Sequence, residues 1–169
     1  MLKISLRNSR YSLFEMKTKI LMVCLGNICR SPLAEGVLQS KLPQADFLID
    51  SAGTGGWHAG ETPDKRSVKV GQKYGVDISQ QRARQFTKQD FDFFDIIYVM
   101  DANNYNDVLA LAPNQEAKDK VRLIMNELSG FENTAVPDPY WGTAADFEHV
   151  YQLLDKVCSE IAKKLLQLS

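Results

Sequence analysis

Apolar residues follow two alternating rhythms along this chain: short unbroken runs, and stripes at helical spacing. Lys19 to Val23 (KILMV) is apolar after its first residue and too short for a helix, which predicts a buried strand. Phe47–Ile49, Asp95–Met100 (DIIYVM) and Val121–Met125 are read as three further strands. Between them lie helix signals. Ser31 is placed to cap a helix with Pro32 at its first position, running to about Leu42 and ending before Pro43. Thr62 and Pro63 repeat that signature for a helix reaching Tyr74, with Gly75 as its stop. Lys65, Arg66, Lys69 and Lys73 of this helix read as a solvated face. Phe86–Phe93 is irregular or a short helix, and Asp101 caps a helix ending near Ala112. The last helix opens on Thr143 and Asp146, a capping box with Asp for Glu. Its stripe is Phe147, Val150, Tyr151, Leu154, Val157, Cys158, Ile161, Leu165 and Leu168.

Strands alternating with helices predict a three-layer α/β/α domain around a mostly parallel sheet. Ligands of such sheets bind beyond the carboxyl ends of the strands, where strand order reverses. Two loops lie at such ends: Cys24–Arg30 after the first strand, and the one holding Val136-Pro137-Asp138-Pro139-Tyr140-Trp141 after the fourth.

The chain's 169 residues suit one domain, and a composition that is 44% hydrophobic and 24% charged suits a folded one. A net charge of −1 offers no global field for nucleic acid, so any anion site must be built locally. Three cysteines, Cys24, Cys29 and Cys158, do not form a secreted disulfide framework and predict reduced thiols in a cytoplasmic setting. The apolar runs are too short for a membrane span. Residues 1–17 are basic and serine-rich with one acid, Glu15. They are expected to be an extension, loose or transit-like, ahead of a single domain over 18–169, with Met16 an alternative start.

The loop Leu25, Gly26, Asn27, Ile28, Cys29, Arg30, Ser31 carries the chemistry. A chain leaving a strand and turning into a helix start points backbone amides inward, and the helix N-terminus adds partial positive charge. Gly26 permits a tight turn and Asn27 tolerates a left-handed backbone. The planar fork of Arg30 suits two oxygens of a tetrahedral anion. Cys24 lies at the bottom of this cradle, where the same groups favour thiolate and nucleophilic attack on phosphorus. Ser31 could donate a hydrogen bond to that sulfur. A metal would need further ligands, and the only histidines are His58 and His149, so no metal or cofactor is expected. Asp138, stiffened between two prolines, is either a general acid or a surface turn. Trp57, Tyr140 and Trp141 either wall a slot for a planar ring or pack. Cys158 falls on the core stripe.

VCLGNICRSPLAEGV, then DSAGT with Trp57, then DPYWG together resemble the low-molecular-weight protein tyrosine phosphatases over residues 18–168. That resemblance implies a four-stranded parallel sheet in the order 2-1-3-4. It also implies metal-free hydrolysis of phosphotyrosine, in a protein or a small aryl phosphate, to inorganic phosphate. It makes Cys24 the nucleophile, Arg30 the phosphate clamp, Asp138 the acid then base, and Ser31 the thiolate partner. Asn27 shapes the loop with Ser51 behind it; Trp57, Tyr140 and Trp141 are the walls; Cys29 is a thiol able to trap Cys24 as a disulfide. Histidine stands near Tyr74 in some relatives, so the network behind the loop is expected to differ here. Arsenate reductases and protein arginine phosphatases resemble the same scaffold. The first need shuttle cysteines, and the second tend to carry threonine at the position of Ile28. A non-catalytic anion-binding or redox-sensing module is the rival outside enzymes.

Overall fold

The computed structural model describes residues 17–168, so the expectations for residues 1–16 lie outside it. β1 (Thr18–Cys24), β2 (Phe47–Gly53), β3 (Ile96–Val99) and β4 (Val121–Leu123) form one parallel sheet in the order β2-β1-β3-β4. The four helices that frame it are α1 (Arg30–Lys41), α2 (Lys65–Lys73), α4 (Ala102–Leu111) and α6 (Ala144–Leu168). Two short ones, α3 (Asp90–Phe93) and α5 (Gln115–Asp119), and a 3-10 turn at Ile124–Glu127 complete the set.

Both faces of β1 are covered, so its run is apolar without alternation. Ile20 and Met22 join one core cluster with α1 and α6; Leu21 and Val23 join another with Phe86, Phe91, Phe94 and Val108. From β1 the chain crosses to β2 on one side and later to β3 on the other. The end of β1 is therefore the switch point, with Cys24 level with Gly53 of β2.

Several boundaries move for identifiable reasons. α1 starts at Arg30 with Cys29 at its N-cap and no side-chain cap, because the Ser31 hydroxyl is turned to Cys24. α2 is capped by Asp64, not Thr62; its carboxylate accepts the Arg66 N–H at 2.8 Å. Gly75 does end that helix, at φ +79°. β2 runs on to Gly53, and β4 yields to the 3-10 turn after Leu123. Asp101 caps α4 through the Asn104 N–H, and Asp146 accepts the Thr143 N–H at 2.6 Å at the start of α6. The α6 stripe is buried as far as Ile161; Leu165 is half-buried and Leu168 exposed, because the helix outruns the sheet.

Candidate active site

The loop from Cys24 to Ser31 is gripped by its carbonyls. Those of Cys24 and Leu25 accept the N–H groups of Thr54 and Gly55, and that of Ile28 accepts the N–H of Asp64. The Cys29 carbonyl accepts the Ser67 hydroxyl at 3.3 Å. A trans peptide points its N–H opposite to its C=O. The amide edges following these carbonyls therefore face away from the flanking elements, toward the loop's concave side. Gly53 allows the approach: a Cβ there would lie 2.8 Å from the Leu25 carbonyl oxygen and 3.0 Å from the Asn27 nitrogen. Asn27 is the residue in the left-handed region, at φ 55°. Gly26 is not; a Cβ on it would crowd the His58 ring at 3.1 Å.

Asn27 stays in that conformation because its side chain is fully committed. Its amide donates to the Ser31 hydroxyl at 2.8 Å and the Ser51 hydroxyl at 2.9 Å, and its carbonyl oxygen accepts the Arg84 N–H at 3.0 Å. Ser31 Oγ lies 3.0 Å from Cys24 Sγ, and Ser51 donates to Glu35 at 2.5 Å. A buried polar chain thus runs from Glu35 through Ser51, Asn27 and Ser31 to the sulfur. Glu35 is a member the sequence reading missed. Burial pushes its carboxyl up to about 7, with the Ser51 hydrogen bond opposing and the charge of Asp50 adding. Gln81 reaches the carbonyl of Pro32 under the same helix.

Arg30 is 2% exposed. Its Nη1 donates to Asp101 Oδ2 at 2.7 Å and to the Val136 carbonyl at 3.0 Å, and its Nη2 faces Asp138 Oδ2 at 3.4 Å. Burial pulls the guanidinium's pKa down, but the Cys24 sulfur, the Asp101 hydrogen bond and the Asp138 charge outweigh it, leaving the pKa raised. Asp101 was legible as a helix cap; its second oxygen turns out to aim the arginine.

Cys24, Leu25, Gly26, Ile28, Cys29, Arg30, Trp57, His58, Asp138, Tyr140 and Trp141 line one cavity of about 430 Å³. Every sequence-derived site residue except Asn27, Ser31 and Ser51, which stand behind the loop, reaches it. Trp57 and Trp141 stand at its rim, 65% and 93% exposed. His58 is a wall residue the sequence reading missed; its Nδ1 lies 2.8 Å from Glu61. Arg66 does more than face solvent: its side chain stays 40% exposed, yet it pairs with Asp64 and reaches the carbonyls of Tyr140 and Gly142.

The three thiols are reduced and buried. Burial, then the charges of Asp64, Cys24 and Asp138, push Cys29 up to about 12. Cys158 is 0% exposed, and burial takes it to about 12 as well. Sealed in the core, Cys158 cannot serve as the shuttle thiol an arsenate reductase needs. Among the described residues no helix is long and apolar enough to cross a membrane.

Comparison with known proteins agrees with this geometry. Residues 19–168 match the family described as low molecular weight phosphotyrosine protein phosphatase. The Drosophila melanogaster low molecular weight phosphotyrosine protein phosphatase 1 is 41% identical, over 90% of this chain and 99% of its own. The human low molecular weight phosphotyrosine protein phosphatase is 37% identical over 89% and 98%. Among solved structures, a protein tyrosine phosphatase from Entamoeba histolytica superposes with a TM-score of 0.84 at 35% identity, covering 89% of this chain and 98% of its own. Vibrio vulnificus Wzb, in complex with benzylphosphonate, does so with 0.79 at 33%, covering 87% and 98%. The chain belongs to the low molecular weight phosphotyrosine protein phosphatase family.

Proposed function

We propose that this protein hydrolyses phosphotyrosine monoesters through a phosphocysteine intermediate. The observation that carries the reading is the meeting of Cys24, Arg30 and Asp138 on one aromatic-rimmed cavity. The complex of Wzb with benzylphosphonate, an aryl phosphate mimic, supports it.

A phosphate dianion in the cradle takes the inward amide edges and the Arg30 fork as partners, displacing the carboxylate of Asp138 from Nη2. The Cys24 thiolate attacks phosphorus in line; the S–P bond forms as the bond to the phenolic oxygen breaks. Asp138 gives its proton to the departing oxygen. Water then attacks phosphorus and passes its proton to the Asp138 carboxylate, while sulfur leaves as thiolate and orthophosphate is released. Ser31 stabilises that leaving sulfur. Its oxygen already accepts from Asn27, so its own hydrogen can point at Sγ, 3.0 Å away, in place of the more distant Ala52 carbonyl at 3.4 Å. The rim of Trp57, Tyr140 and Trp141 gives an aryl group a wall to lie against, and a shorter phosphoserine would not span its depth. Ile28, apolar on the cavity wall, favours an aromatic ring over a guanidinium.

The test is turnover of para-nitrophenyl phosphate, inhibited by vanadate and indifferent to chelators. Phosphate should be recovered on Cys24 after acid quench. Cys24→Ser should cut turnover by roughly 10⁵-fold while phosphate still binds. Turnover that survives in Cys24→Ser, or that a chelator removes, overturns the reading.

A further inference from the structure

The α2 N-terminus touches both halves of the site. On one side Asp64 donates its N–H to the Ile28 carbonyl at 2.8 Å, and Ser67 donates its hydroxyl to the Cys29 carbonyl. On the other, Arg66 Nη2 donates to the Tyr140 carbonyl at 2.9 Å and Nη1 to the Gly142 carbonyl at 3.3 Å. The two sides are joined by the Asp64 carboxylate, which takes Arg66 Nε at 3.0 Å and Nη2 at 2.9 Å. The guanidinium also lies 4.3 Å over the Phe147 ring of α6.

Tyr140 is the informative link. Its N–H donates to Asp138 Oδ1 at 3.1 Å, and its carbonyl is the one held by Arg66. One residue, Tyr140, separates the carboxyl from the clamp. Without the clamp, the Asp138 side of the loop is held by the Val136 N–H on the Met100 carbonyl and by Arg30. A phosphate dianion competes for Nη2 of Arg30 while Nη1 keeps the Val136 carbonyl, leaving Arg66 as the side-chain anchor on the C-terminal side of Asp138 during catalysis.

We propose that Arg66 is a positioning residue: it braces the Asp138 loop against the phosphate loop and so sets the aim of the general acid. The proposal rests on Asp138 acting as that acid. Arg66→Met keeps the aliphatic stem against Phe147 and removes every donor, and Arg66→Lys keeps the charge with one compact donor. Arg66→Met should slow aryl phosphates with poor leaving groups by roughly tenfold or more, since small misplacements of a reacting group are costly. In kcat/KM, which reports only the steps up to loss of the phenol, para-nitrophenyl phosphate should suffer far less, and vanadate affinity should hold. Arg66→Lys should recover part of the loss. In an Asp138→Asn background Arg66→Met should cost nothing further. Hydrogen exchange at the Tyr140 and Gly142 amides should quicken while the sheet stays protected.

Equal losses of kcat/KM for good and poor leaving groups, or losses that add to those of Asp138→Asn, would leave Arg66 a packing residue and overturn the proposal. Wild-type exchange at Tyr140 and Gly142 in Arg66→Met overturns the brace whatever the kinetics. If Asp138→Asn itself shows no leaving-group dependence, the reading of Asp138 has failed, and the role assigned to Arg66 fails with it. In that case quickened exchange would still report the tether, which separates the two failures.

Discussion

The loops 24–31 and 136–142 face each other across one cavity and are built on opposite plans. The first is buried apart from Leu25 and Gly26: Cys24, Asn27 and Arg30 are each 2% exposed, and its polar atoms are satisfied by β2, α1 and α2. The second carries Trp141 almost wholly in solvent and an Asp138 side chain 44% exposed. It is tied to the rest of the site mainly through two arginines, Arg30 and Arg66. One loop is part of the core, and its geometry is bound up with the stability of the fold. The other is attached to the core, so its side chains can change with little effect on folding. Substitutions in the two should therefore separate stability from chemistry.

The largest expected effect is on chemistry alone. Asp138→Asn keeps an acceptor for the Tyr140 N–H and loses the transferable proton. Turnover of aryl phosphates with poor leaving groups should fall by roughly 10²–10⁴-fold, the usual worth of a positioned acid. In kcat/KM, which the hydrolysis step does not enter, good leaving groups should be little affected, whereas kcat falls for every substrate because the base is lost as well; stability should move by less than about 0.5 kcal/mol, as for other exposed positions. A series of substituted phenyl phosphates measures the first and thermal melting the second. Equal losses of kcat/KM across the series would remove Asp138 from its role as the acid.

Next comes a substitution that should hurt both. Asn27→Ala puts a Cβ-bearing residue without local hydrogen bonds at φ 55° and strands Ser31, Ser51 and the Arg84 N–H. The cost in stability should be roughly 3 kcal/mol, combining backbone strain with lost buried hydrogen bonds. Vanadate affinity should fall with it. Asn27→Gly removes the strain and keeps the stranded partners, so its stability should lie between wild type and Asn27→Ala. If Asn27→Ala melts like wild type, the contrast between the loops is wrong.

The same contrast explains what was legible in the sequence. The strands and the loop 24–31 were readable because their signals are local: an apolar run, then Gly26, Asn27, Arg30 and Pro32 within a few residues; the strand order came only with the family resemblance. The missed residues act across the fold. Asp101 reads as a helix cap until the sheet places it 71 residues away in sequence from the Arg30 it holds. It could have been suspected as a polar residue just past the end of β3, where such sheets gather ligands. Glu35 looks like any exposed helix acid until α1 is laid against β2. Arg66 looked solvated because charge at helical spacing usually is; only the fold brings Tyr140 and Gly142 to it. Ser31 and Thr62 misled as caps because capping preference cannot foresee tertiary competition: the sulfur took one, and Asp64 stood nearer the helix than the other.

The smallest effect on catalysis, and the sharpest probe of the buried loop, concerns pH. The Glu35 carboxyl titrates at about 7 in the fold against 4.5 unfolded. Between those values the folded protein holds a proton that the unfolded chain has released. Stability must therefore fall as pH rises from about 4.5 to 7, by on the order of 3 kcal/mol, and then level off. Asp64, Asp146 and Glu148 have the opposite sign and a more acid window. Their carboxyls are held below the ordinary range by hydrogen bonds, from Arg66 first for Asp64, Thr143 for Asp146 and Tyr74 for Glu148. What they contribute is lost as pH drops, not as it climbs toward 7. Glu35→Gln should abolish the neutral slope in denaturant melts taken from pH 5 to 8. It should also carry a constant penalty, because Ser51 and Gln39 both donate to this side chain and an amide offers only one accepting oxygen. Activity should not follow the slope. Ser51 accepts from Asn27 and donates to an ionised Glu35, and it can keep accepting from Asn27 once that carboxyl is protonated. The loop therefore meets the same hydroxyl oxygen in both states, and kcat/KM should show no feature near pH 7 that Glu35→Gln removes. A feature that vanishes with the substitution would mean that the titration reaches Cys24 through the chain of hydrogen bonds, and that the loop is less insulated than its burial implies.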